Sequence, residues 1–246
     1  MHLFLTSHIG GHLHIQDEIF PEMLLEENGF LGQLKALWNP NFRCLMIANH
    51  PDQMAQNDVH SRVFQKSFIM SGLPFSRWDI LDDRVSDISR EELHAYDFIL
   101  LLGGHVPTQH AFLERIGLKD KLSGYHGIIA GISAGTMNCA RIVYSIPELE
   151  GEAIDPDYQR FFPGLGLTNI QVIPHYQWLK QVRVDGKRMI EDLAIPDSIG
   201  NRFVLLPDGC FILQHDGKAT IFGEGYLLEN GKIQQIGWPN EAHTLE

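Results

Sequence analysis

The chain of 246 residues amounts to between one and two domains at roughly 150 residues each. At this size folding buries on the order of 70% of the unfolded surface, so neither a disulfide nor a structural metal is required. Apolar residues make up 44% and charged residues 20%, which excludes disordered, fibrous and coiled-coil classes. Lys and Arg number 19 against 31 Asp and Glu, a net charge of −12; with Lys119–Lys121 and Arg183–Arg188 both interrupted by acids, that balance argues against a nucleic-acid partner.

Cys44, Cys139 and Cys210 are too few and too far apart for a disulfide framework or a paired-cysteine zinc site, and suit a reducing compartment. The first residues lack a basic region, and no apolar run approaches 18 residues. The expectation is a soluble, cytoplasmic protein with no membrane partner.

Along the chain, Leu3 to Thr6 and Cys44 to Ala48 are short apolar runs of the kind buried on both faces of a parallel sheet. Between them Met23, Leu24, Phe30, Leu31, Leu34 and Leu37 recur at helical intervals, with Asn28-Gly29 as a potential break. Val59, Val63, Phe64, Ser67 and Phe68 predict an amphipathic helix ending near Gly72. Ile80-Leu81 reads as a strand, and Ser89 with Glu92 as a capping box. Phe98 to Leu102 is a strand running into Gly103-Gly104, and Thr108 can cap the helix that follows. A short helical segment over Leu118 to Leu122 precedes the strand Ile128 to Ala130.

Repeated strand–helix–strand units predict a three-layer α/β fold: a mostly parallel sheet with helices on both faces. From Phe203 onward five short β-like runs, separated by Asp208-Gly209, Asp216-Gly217 and Asn230-Gly231, predict a β-rich, antiparallel C-terminal extension of a single domain spanning 1–246. Pro147 to Arg160 has no periodicity and suits a loop bordering a site.

The strongest chemical signal is Gly131-Ile132-Ser133-Ala134-Gly135, a G-x-S-x-G between a buried strand and a helical stretch, the setting of a nucleophile elbow. The same turn could instead be a plain βα connection or a phosphate site. A serine needs a base, and His175 follows the strand Ile170 to Ile173 at a sheet end, where ligands gather in open α/β folds. Asp208, after the strand Phe203 to Leu206, is the leading acid to orient that imidazole; Glu224 and Asp192 compete with it. Gly104 and Ala134 are candidate backbone donors for an oxyanion hole.

These segments together resemble the serine peptidases of family S51, the group with aspartyl dipeptidase (peptidase E) and cyanophycinase, in the class I glutamine amidotransferase-like superfamily. The likeness rests on Leu-Phe-Leu-Thr-Ser at 3–7, Leu-Leu-Gly-Gly at 101–104, Gly-Ile-Ser-Ala-Gly at 131–135, Ile-Pro-His-Tyr at 173–176 and Leu-Pro-Asp-Gly at 206–209. It implies Ser133 as nucleophile and His175 as base, in an order unlike the Ser, acid, His of α/β-hydrolases. It also implies a short peptide as substrate and no cofactor or metal.

Two departures stand out. The family pattern has Glu where this chain has Asp208, one methylene shorter, so the imidazole must come about 1 Å closer or be reached through a shifted turn. Gly-Gly-Asn-Thr is replaced by Gly-Gly-His-Val-Pro-Thr, which removes the family's basis for choosing an N-terminal aspartate and leaves Gly103, His105 and Thr108 as candidate substrate contacts. With no Cys at 133, glutamine-derived ammonia transfer is not implied. A metal site from His8, His12, His14, Asp17 and Glu18, a noncatalytic module of the same fold, and a non-peptide esterase or amidase are the rival readings.

Overall fold

The computed structural model describes residues 1–16, 18–85 and 87–245. Apolar runs that alternate between two faces build its central sheet of eight strands. In spatial order these are Ala242–Leu245, Lys218–Phe222, Phe211–His215, His2–Thr6, Ile128–Ile132, Phe98–Leu101, Arg43–Ile47 and Arg77–Leu81. The five from His2–Thr6 to Arg77–Leu81 are mutually parallel, and the other three extend the sheet beyond His2–Thr6, each antiparallel to its neighbour.

Strand side chains point alternately to opposite faces, and the core divides accordingly. Leu3, Leu5, Leu45, Ile47, Ile99 and Leu101 pack with Phe112 and Leu113 of the helix Val106–Arg115 and with Ile116 at its C-cap. Phe4, Cys44, Met46, Phe98 and Leu100 pack with Phe30, Leu31 and Leu34 of the helix Phe30–Leu37 and with Phe64 and Phe68 of the helix Met54–Met70. Helices thus cover both faces, as the sequence predicts.

A second sheet of four strands holds Gln171–Ile173, Arg202–Leu205, Gly225–Glu229 and Lys232–Gly237. Its first two strands are parallel, so His175 and Asp208 both follow strand ends on the same side. Its own core includes Tyr144, Ile146, Ile173, Phe203, Leu205 and Leu228. The C-terminal strands pair antiparallel with one another, as expected, but divide between the two sheets; Asp216-Gly217 and Asn230-Gly231 turn tight hairpins, all four residues at positive φ.

Three other expectations change. Met23 and Leu24 lie not in a helix but in the strand Glu18–Leu24, which pairs with Gly10–Ile15 as a hairpin over Met54–Met70. Positive φ at Asn28 and Gly29 stops the helix from reaching back beyond Phe30. Thr108 does not cap its helix: Pro107 fits the first turn, so the helix begins at Val106 with His105 at its N-cap. The Ser89–Glu92 capping box forms with both of its hydrogen bonds.

All three cysteines are buried and free. No helix among the described residues is long and apolar enough to cross a membrane.

Candidate active site

Every element of the site sits at the carboxyl end of a parallel strand, where chain reversals leave room between helix and loop. Ile132 leads into Ser133, whose φ of 49° and ψ of −111° place the serine on a strained turn at the start of the helix Ala134–Asn138. Small residues make that turn feasible. A Cβ on Gly135 would lie 2.3 Å from the Leu101 carbonyl oxygen, and one on Gly131 would lie 2.6 Å from the Thr136 nitrogen.

The turn is pinned to the first strand. The Ser133 N–H donates to the Thr6 carbonyl at 3.1 Å. Thr136 Oγ1 accepts the Thr6 N–H at 2.8 Å and lies 2.7 Å from the carbonyls of both Thr6 and Gly131.

Gly103-Gly104 runs alongside. A Cβ on Gly103 would stand 3.2 Å from the Ser133 Cβ, and Gly104, at φ +144°, leaves space that the Asn49 side chain fills. The N–H groups of Gly104 and Ala134 donate to no other group among the described residues. Ala134 itself is buried in the first turn of its helix.

His175 Nε2 lies 2.9 Å from Ser133 Oγ, and His175 Nδ1 lies 2.6 Å from Asp208 Oδ1. Asp208 thus reaches the imidazole directly in spite of its shorter side chain. His175 adopts a left-handed backbone (φ 56°, ψ 33°) before the short helix Tyr176–Leu179. Burial opposes ionisation of Asp208, but hydrogen bonds and charge from His175, with further hydrogen bonds from Ser7 and Gln177, outweigh it and bring its pKa down to about 2. The competing acids are engaged elsewhere, Glu224 by the Tyr226 hydroxyl and Asp192 by Arg188.

Three supporting residues lie outside the sequence reading. Fully buried Ser7 donates to Asp208 Oδ1 at 2.5 Å and accepts the His175 N–H at 2.7 Å. Gln177 Nε2 donates to Asp208 Oδ2 at 2.6 Å, and its Oε1 accepts the Asp208 N–H at 3.0 Å. Asn49 is buried against Gly104. For Ser7 and Asn49 the available signal was a polar residue next to a buried run, at the same sheet end as Ser133 and His175.

Ser133 and His175 open into a cavity of about 510 Å³ that Gly103, Gly104 and Asn49 also line. His105 and Thr108 do not line it. The His105 ring is held between Thr108 Oγ1, 2.8 Å from Nδ1, and Glu152 Oε1, 2.9 Å from Nε2. This ties the helix start to the 147–160 segment, whose Glu148 and Leu149 do line the cavity.

Among the described residues no group of His, Cys, Asp or Glu is arranged to hold a metal ion. Within the histidine alternative Asp17 lies outside the described residues, and the rings of His8, His12 and His14 meet edge to face. Burial is the main cause holding His8, His12 and His60 below the ordinary imidazole pKa, His12 at about 4. Cys139 is buried beneath the elbow with its thiol pushed up to about 12 by burial, and so is inert rather than nucleophilic.

Comparison with solved structures finds a peptidase from an acI-B1 Actinobacterium, 16% identical, with a TM-score of 0.63 over 99% of this chain and 96% of that one. A candidate peptidase E protein from Listeria monocytogenes EGD-e is 14% identical, with a TM-score of 0.51 over 96% of this chain and 98% of that one. At such identities the likeness is one of fold. No curated protein matches the chain. The profile described as peptidase family S51 matches residues 51–222, most of the chain and the strand ends that carry Gly103, Ser133, His175 and Asp208: this serine peptidase belongs to peptidase family S51.

Proposed function

We propose that Ser133, His175 and Asp208 act as a catalytic triad that hydrolyses short peptides through an acyl-enzyme. The observation that carries this reading is the continuous contact from Ser133 Oγ through the His175 ring to Asp208, at 2.9 and 2.6 Å, opening into one cavity. Asp208 accepts a hydrogen bond from the Nδ1–H of His175, holding the tautomer in which Nε2 is free to act as base. His175 takes the Ser133 proton as Oγ attacks the peptide carbonyl, and the new oxyanion accepts hydrogen bonds from the N–H groups of Gly104 and Ala134. Collapse breaks the C–N bond, and the imidazolium returns the proton to the leaving amine. Water, deprotonated by His175, then attacks the ester, and Ser133 leaves with the proton.

A noncatalytic role gives no reason for nucleophile and base to be in hydrogen-bond contact, so the peptidase reading is preferred. In this reading residues 1–246 work as one domain, with both sheets contributing to one site. Three free, buried cysteines suit a reducing compartment such as the cytoplasm. The test is turnover of a panel of dipeptides and longer short peptides by the wild type and Ser133→Ala. Wild-type turnover with a loss of about 10⁴-fold or more in kcat for the variant is expected; equal turnover by the two would sink the proposal. Labelling of Ser133 by a fluorophosphonate without peptide turnover would move the reading to a non-peptide esterase or amidase.

A further inference from the structure

The cavity beside Ser133 has two unlike walls. One comes from the chain that follows the strands His2–Thr6 and Arg43–Ile47 and from the helix Met54–Met70, and it presents His8, His12, Asn49, Gln53, Gln56 and His60. The other comes from the side of the second sheet and presents Ile146, Leu149, Trp178, Leu179, Val182 and Met189.

The first wall offers hydrogen bonds without fixed charge. Burial is the main cause that holds His8, His12 and His60 below the ordinary imidazole pKa, so their rings are neutral near neutral pH. The Gly10 N–H donates to His8 Nδ1 at 3.2 Å, which leaves the proton of the neutral ring on Nε2. Among the described residues lining the cavity there is no Lys or Arg, and the one acidic residue, Glu148, is exposed to water.

The second wall is apolar and stands next to the base. Trp178 and Leu179 lie in the single helical turn after His175, and the N–H groups of both donate to the His175 carbonyl at 2.9 Å. The Met189 N–H donates to the Val182 carbonyl at 3.1 Å, bringing these two residues together on the cavity. Ile146, Leu179 and Met189 are buried in the core of the second sheet, so packing fixes this part of the wall. Trp178 and Leu149, in contrast, are 57% and 53% exposed and join no core cluster among the described residues. An indole and an isobutyl group left in water beside a nucleophile, continuous with a fixed apolar wall, are surface that a ligand gains by covering.

We infer that the apolar wall is the side-chain pocket of the site: it receives an apolar or aromatic side chain from the residue adjoining the scissile bond, while the polar wall hydrogen-bonds the amide groups of the peptide. The inference rests on the peptide reading above and extends it to a substrate class, short peptides with Leu, Phe or a similar side chain next to the bond that is cut. An acidic side chain meets no Lys or Arg on either wall and gives up hydration without return. A basic one meets only the exposed carboxylate of Glu148, where water screens the attraction.

A dipeptide has one peptide bond, so Xaa-Ala and Ala-Xaa place a side chain on the acyl side and on the leaving side of the cut. The test takes Xaa as Ala, Leu, Phe, Asp and Lys, with kcat/KM measured for the wild type and calorimetric titration for Ser133→Ala. In at least one series Leu and Phe are expected to exceed Ala by about 10- to 100-fold in both measurements, the worth of burying such a side chain. Asp and Lys should fall below Leu in that series, which identifies the side of the bond that the pocket serves. Trp178→Ala removes an exposed ring and should lower the Phe/Ala ratio about 5-fold, and Val182→Asp should turn the preference toward Lys. Flat ratios in both series, Asp or Lys taken as well as Leu, or ratios unchanged in both variants would overturn the inference. The wild-type series involves no change to the wall, so it decides the matter even if a variant fails to fold. An apolar preference in the titration without Ser133-dependent turnover counts against the catalytic reading alone. Flat ratios with Ser133-dependent turnover count against the pocket alone, and absence of both binding and turnover overturns the two together.

Discussion

Ser133 and the Gly103-Gly104 loop are held by backbone packing, whereas His175 and Asp208 are held by side-chain hydrogen bonds. On the first side the buried parallel strands come so close to the elbow that Gly131 and Gly135 have no room for a Cβ. On the second side a smaller sheet brings two strand ends into register, and Ser7, reaching over from the central sheet, joins the base to the acid. The nucleophile side therefore tolerates almost no added volume, and the base side almost no lost polar atom. Substitutions of the two kinds should fail in different ways, one in stability and the other in catalysis with the fold retained.

The largest effect is expected at the base. Asp208→Asn keeps the shape but cannot hold the Nδ1–H tautomer or stabilise the imidazolium, so kcat should fall by about 10⁴-fold with little change in KM. A parallel loss in Tm of many degrees at neutral pH would show that Asp208 acts mainly in folding. The pH dependence sharpens this. The folded-state pKa of about 2 lies below the unfolded value of about 3.9, so the stability gained from ionised Asp208 is complete above that value and is lost as pH falls from it through about 2. Tm measured from pH 5 to 2 should decline more steeply in the wild type than in Asp208→Asn. For the same reason, activity lost between pH 7 and 4 cannot come from protonation of Asp208.

Gly135→Ala tests the other side. Its Cβ would be forced to 2.3 Å from a backbone oxygen of the neighbouring strand, which no side-chain rotation relieves. A destabilisation of about 3 kcal/mol, the upper range for overpacking, is expected in urea or thermal unfolding. Whatever protein folds should have a displaced Ser133 and an activity reduced roughly 100-fold, as about 1 Å of misplacement costs. Unchanged stability would mean that the elbow is softer than its packing implies.

The same contrast explains what could be read from the sequence. Gly131-Ile132-Ser133-Ala134-Gly135 announces itself because backbone strain demands particular residues at fixed spacing, and the buried strands on either side are continuous apolar runs. His175 and Asp208 were legible as residues following such runs. Ser7 was not, because one serine after a strand looks the same whether it meets solvent or the carboxylate of Asp208, 201 positions away. Glu148 and Leu149 lay hidden for a related reason: they line the cavity only because of the loop that the fold lays beside it, and Pro147 to Arg160 carries no periodicity to say so. The split of the C-terminal strands was equally silent, since Asp-Gly and Asn-Gly fix hairpins but not the sheet each hairpin joins. Helical spacing at Met23 and Leu24 misled because spacing alone does not separate a short helix from a hairpin strand packed on a helix.

The smallest effect, and the finest test of the contrast, is expected at Ser7. Its single hydroxyl accepts the His175 N–H and donates to Asp208, so it positions the pair without touching substrate. Ser7→Ala leaves a buried backbone N–H without its acceptor and removes one of the donors that keep Asp208 ionised, each worth about 1 to 2 kcal/mol. The expected result is a roughly 10-fold drop in kcat with unchanged KM, together with a rise in the Asp208 pKa, measurable by carboxyl NMR titration. A purely structural serine would lower Tm but leave the Asp208 titration where it is. If kcat and that titration both stay at wild-type values, the Gln177 contacts with Asp208 suffice to hold the acid. The base side would then depend on the contacts to Asp208 as a set rather than on single side-chain atoms.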